Sequence, residues 1–140
     1  MRFKIYLLPF SIFIGFNFSH AQSPEGSEGF RAGPTLAVQE ANLKDGFRLS
    51  DKAGEVIGVK TKKLGTRPFS IPQSSIVHYG DKAGVYRYRD GWFKLIEVQI
   101  QKKSQAVEIS SSELRDNDEV AVQGVALLRV SEMDAFGGEE

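Results

Sequence analysis

The chain has 140 residues, balances 18 Lys and Arg against 18 Asp and Glu, and contains no cysteine. Zero net charge excludes the electrostatic footprint of a nucleic-acid binder, and the missing thiols exclude disulfides, a thiol nucleophile and thiolate metal ligands. The length suits one domain able to bury about two-thirds of the surface of its unfolded chain.

The first residues read as a targeting segment. Arg2 and Lys4 form a positive start, Ile5 to Phe18 is uncharged and mostly apolar, and Ser19-His20-Ala21 offers small residues for cleavage. This is the pattern of a secretory signal peptide over residues 1–21. The apolar run is shorter than the roughly 18 residues that span hydrocarbon, and Pro9 interrupts it. No cysteine is available for lipidation, so the expected location is the periplasm, without a lipid anchor.

Gln22 to Pro34 is rich in Gly, Ser, Glu and Pro and reads as flexible. Thr35 to Ala41 reads either as a first edge strand or as more leader, and the leader is drawn at residues 22–41. A β domain is expected over 42–133, with a tail over 134–140. Phe47-Arg48-Leu49 opens it as a short strand. Ser50 is an N-cap for a helical turn through Ile57 that Gly58 ends, and Val59 to Leu64 alternates as a half-buried strand does.

The strongest local signal is the hairpin around Asp90-Gly91, because both central residues of a type I′ turn need positive φ. A two-residue loop places Arg89 opposite Trp92, Tyr88 opposite Phe93, Arg87 opposite Lys94, Tyr86 opposite Leu95 and Val85 opposite Ile96. One face then carries Tyr86, Tyr88, Phe93 and Leu95 towards a core. The other carries Arg87, Arg89, Trp92 and Lys94, which must look into water or towards an acidic partner. Further on, Gln101 to Lys103 reads as a loop and Ala106 to Ile109 as a strand. Glu113 to Asp118 reads as a tight turn with Asn117 in the left-handed region, and Glu119 to Gln123 as the last firm strand. Val125 to Met133 fits either a final strand or a short helix. The sum is an all-β protein, a small barrel or sandwich of about six to seven short strands with one short helical turn.

The order of these pieces resembles the membrane-proximal domain of periplasmic adaptor (membrane fusion) proteins of resistance-nodulation-division efflux pumps, heavy-metal type. The likeness rests on FRLSDKAGEVIGVKT, then IPQSSIVHYGDKAGVYRYRDGWFKLIEVQI, then ELRDNDEVAVQGVALL. Asn117 stands where the family usually has glycine. The resemblance covers roughly Gly46 to Leu128 and implies a non-enzymatic accessory or truncated adaptor component. Its implied partners are the inner-membrane transporter or a full-length adaptor, and the basic, aromatic-bearing hairpin face could also touch anionic lipid head groups at the membrane surface.

Chemistry in the residues is sparse. After residue 21 only His78 and Met133 remain as soft or borderline metal ligands, no Gly-x-Ser-x-Gly elbow accompanies the serines, and no glycine-rich phosphate loop occurs. The expectation is no enzyme, no cofactor, no metal and no nucleic acid. The candidate partner-binding residues are Arg87, Arg89, Trp92 and Lys94, since Arg and Trp concentrate at interface hot spots. Against this stands a solvated hairpin face in which Arg89 stacks on Trp92. The rival functions are a free-standing small-ligand or envelope-binding β module, for which a concave aromatic-lined pocket would speak, and a degenerate adaptor fragment.

Overall fold

The computed structural model describes residues 30–33, 35–102 and 106–137. The expected signal peptide, residues 1–21, lies outside them, as do the start of the leader and the end of the tail. Among the described residues the order is β1 (Val38–Asn42), β2 (Gly46–Leu49), α1 (Asp51–Ile57), β3 (Lys60–Lys63), β4 (Phe69–Pro72) and β5 (Val77–Tyr79). There follow β6 (Lys82–Arg89), β7 (Trp92–Glu97), β8 (Gln99–Lys102), β9 (Ala106–Ser110), β10 (Glu119–Gln123) and α2 (Val125–Phe136).

The strands form two antiparallel sheets. The larger runs β1-β2-β7-β6-β10-β3, with β5 pairing the far end of β6, and the smaller runs β4-β9-β8. Among the described residues the fold is an all-β sandwich with two helices and no closed barrel. The hairpin has the register that the Asp-Gly loop dictates, from Val85 opposite Ile96 to Arg89 opposite Trp92. Its loop residues take φ values of 52° at Asp90 and 86° at Gly91. The described residues hold ten strands against the six or seven expected, and one of the extra strands arises where the returning strand is interrupted at Val98. Beyond the break, Gln99–Lys102 joins the small sheet opposite β9, so the stretch expected as a loop from Gln101 is strand as far as Lys102.

Alternation along β6 feeds two separate cores. Val85 and Ile96 face the small sheet and pack with Leu64, Phe69, Ile71, Val107, Ile109 and Val120. Tyr86 and Phe93 face the other way and pack with Phe47, Val77, Ala121 and the inner residues of both helices. The face that carries Arg87 and Lys94 is therefore wet at only one end, since its other end lies under the second sheet.

Both helices cover the Tyr86 face. Because β2 and β3 are separated by β7, β6 and β10, the connection between them crosses the sheet, and α1 makes that crossing with Ala53 buried beneath it. The Ser50 hydroxyl accepts the Ala53 N–H at 3.2 Å, and Gly58 caps the other end at φ 65°. The segment left open between strand and helix, Val125 to Met133, is α2. Gly124 turns the chain out of β10 at φ 78°, the Leu128 N–H closes on Gly124 O at 3.0 Å, and Val125, Leu128 and Ala135 are buried. The helix continues to Phe136, past the expected start of the tail at residue 134.

Part of the expected leader also belongs to the fold. Val38 is buried on β1, the Arg31 N–H bonds Ala135 O at 2.8 Å, and the Phe30 ring meets Phe136 edge-on at 4.9 Å. Phe30 and Val38 supply the apolar contacts that a Gly- and Ser-rich composition conceals.

Candidate functional site

The four residues expected to form one basic face lie opposite one another in the hairpin, Arg87 with Lys94 and Arg89 with Trp92, and the sheet order gives them different neighbours. β10 lies against β6, which brings Asp118 to Arg89. The Arg89 guanidinium grips both carboxylate oxygens, with Nη2 at 2.7 and 2.8 Å and Nε at 3.2 Å. Asp118 also accepts the Arg115 N–H at 2.9 Å, closing the turn in which Asn117 takes φ 67°. Burial opposes ionisation of Asp118, but the bonds from Arg89 and Arg115, with the Arg87 charge behind them, outweigh it and hold the carboxyl below its usual range.

On the other side of the hairpin β2 lies against β7, with Phe47 opposite Phe93. Arg48 consequently comes beside Trp92, its guanidinium 4.9 Å from the ring centroid, and also pairs with Glu40 at 3.2 Å. The cation on Trp92 is thus Arg48 rather than the expected Arg89, which Asp118 has drawn away. Lys94 Nζ donates to Lys44 O at 2.9 Å. Arg87 reaches Glu113 O at 3.4 Å, while its buried Nε has no partner. Burial first, and the neighbouring Arg89 charge second, lower its affinity for its proton. All four side chains are half-buried and each has a contact within the fold.

A second region lies on α2. Its inner side is clamped to the sheet through Glu132, whose Oε2 accepts the buried Tyr86 hydroxyl at 2.6 Å and Arg129 Nη1 at 2.6 Å. Burial and then the Glu132 carboxylate raise the Tyr86 pKa far above the ordinary phenol value. The outer side is apolar. Leu127, Val130 and Met133 are exposed there, Val130 at 61 %, and Leu43 in the β1–β2 turn stands 74 % exposed. Met133, Phe136, Leu43 and Leu95 also line a recess of about 350 Å³ at the helix end. The signal was present in the sequence, because the helix has no wholly polar side, but it required the choice of helix over strand.

The third region is a cleft of about 960 Å³ beside α1, with Tyr88 and Phe93 on its floor. The two rings lie 4.8 Å apart, centroid to centroid, tilted by 41°. The hairpin register predicted that Tyr88 and Phe93 share a face; the residues that surround them come from five other elements and could not be read locally.

His78 is exposed on β5, beside the Lys82–Glu97 ion pair of 2.8 Å. Among the described residues no group of three His, Cys, Asp or Glu side chains is arranged to hold a metal ion, and no helix is long and apolar enough to cross a membrane. No family model, no curated protein and no solved structure matches this chain.

Proposed function

We propose that the protein is a non-catalytic periplasmic accessory of adaptor type, working by binding the inner-membrane transporter of an efflux system or a full-length adaptor. The observation that supports this reading is the outward stripe of α2, Leu127, Val130 and Met133, with Leu43 alongside. Exposed apolar residues aligned on one helix are suited to a protein partner. No loose charge interrupts them: Glu132 is held by Tyr86 and Arg129, and Asp134 is paired with Arg31 at 2.8 Å. The three segments that carry the resemblance to adaptors also pair with one another, β2 with β7 and β3 with β10.

The test is a cross-linked pull-down from membrane extracts with the native protein, Val130→Glu and Lys94→Glu, read by mass spectrometry. Recovery of a transporter or adaptor by the native and Lys94→Glu forms, and its loss with Val130→Glu, supports the reading. Equal recovery by all three moves the contact away from α2, and recovery of neither partner by any form removes the reading. Arg89→Glu is unsuitable, since it sets a second carboxylate against Asp118 and breaks the turn.

The cleft favours a second reading, a small-ligand or envelope-binding module. Its volume and its mixture of aromatic floor and scattered polar groups suit a ligand site.

A further inference from the structure

The cleft beside α1 crosses strands instead of following one. It runs from Gln39 on β1 over Phe93 and Tyr88 to Gln123 on β10 and Thr61 on β3, the full width of six strands. Six strands spaced about 4.8 Å apart give it a length of roughly 24 Å. That is long for a single small molecule and suits a chain of linked units.

Its chemistry narrows the class. Two cations, Arg48 and Lys60, are matched by two carboxylates, Asp51 and Glu55. A balanced lining gives no preference for phosphate or another polyanion. Arg48 is occupied by Glu40 and Trp92, and Thr61 by Glu119 at 2.7 Å. By contrast, the side chains of Gln39, Gln123, Asp51 and Glu55 have no hydrogen bond or ion pair among the described residues. Amides and carboxylates supply both donors and acceptors, which is what a ligand rich in hydroxyl and amide groups requires. The half-buried Tyr88, braced from behind by the buried Phe93, adds a ring on which the apolar side of a sugar can stack.

An extended peptide fits less well. Peptides of that kind are held by main-chain bonds along a free sheet edge, and the floor of this cleft is the face of the sheet, where the backbone is already paired. We infer that the cleft binds a neutral oligosaccharide, laid across the strands with one ring over the half-buried Tyr88. This rests on the second functional reading above and names its ligand.

The experiment is an amide chemical-shift titration of the protein with chitotetraose, maltotetraose, an unstructured neutral peptide and tripolyphosphate. Saturable shifts at Tyr88, Thr61 and Gln123 with a tetrasaccharide are expected. Gln123→Ala, an exposed change that leaves the fold alone, should weaken binding by about threefold and Tyr88→Ala by at least about tenfold. The Val130→Glu form should bind as the native protein does. Shifts at these residues with the peptide or the phosphate alone overturn the oligosaccharide while keeping the cleft as a ligand site. Binding by a tetrasaccharide that Gln123→Ala and Tyr88→Ala both leave unchanged overturns the placement. No saturable shift with any probe overturns the inference and the second reading together.

Discussion

The two faces of the larger sheet bury their apolar residues by different means. Towards the small sheet the contact is apolar and, apart from the Phe69 ring, aliphatic, with Val85, Ile96 and Val120 meeting Phe69, Ile71, Val107 and Ile109. Towards the helices the core is aromatic, is braced by the Tyr86–Glu132–Arg129 bonds, and borders both the recess at α2 and the cleft at α1. Neighbouring residues of one strand serve the two purposes, Val85 on the first face and Tyr86 on the second. The first face is enclosed between the two sheets, whereas the second carries exposed apolar and polar groups at its margins.

The sharpest test of that division is a cavity in the layer between the sheets. Phe69→Ala removes a ring that is 1 % exposed, and should destabilise the protein by about 3–5 kcal/mol in a urea titration. A loss under about 1 kcal/mol would mean that the helix side carries the stability, and the contrast between the faces would break.

Asp118→Asn tests the bond that joins β10 to the hairpin and should cost about 2 kcal/mol at neutral pH. Since the folded protein holds this carboxyl below its unfolded value, the stabilisation is complete above that value, about 3.9. It disappears as pH falls through the lower folded value, where both states carry the proton. Melting curves from about pH 6 to about pH 2 should show the native and Asp118→Asn proteins converging at the acid end. A constant gap would assign the effect to packing.

On the helix side, Tyr86→Phe keeps the ring in the core and deletes only its bond to Glu132, which Arg129 still holds. The expected loss is about 1.5 kcal/mol. A larger loss would show that the clamp holds α2 in place and that the two faces are more alike than their packing suggests.

How much of this was legible depended on the range of the interaction. The hairpin register, the Ser50 cap, the Gly58 stop and the left-handed Asn117 follow from a few adjacent residues, and each stands as the sequence indicates. An all-β fold was readable from strand spacing, with barrel and sandwich both open. What β2 and β10 do on the two sides of the hairpin was not. Arg89 meets Asp118 across 29 positions and Arg48 meets Trp92 across the β2–β7 pairing, so the partners of the basic face could not be read while the neighbouring strands were unplaced. Val125–Phe136 gave no periodic signal to separate helix from strand, because its apolar residues occur on every side.

The smallest effect bears on the wall of the cleft. Ser50→Ala deletes the cap on a seven-residue helix, and its cost should be about 1 kcal/mol. Only Ala53 of α1 is buried, so the helix has little tertiary packing to keep it closed once the cap is lost. Local opening of α1 should then precede global unfolding. Hydrogen exchange reads the two separately. Faster exchange at the Ala53 and Gly54 amides, with β6 and β10 unchanged, would show that the wall opens independently of the sheet. Uniform acceleration would instead make α1 part of the same cooperative unit as the sheet, and the cleft a rigid feature of the fold.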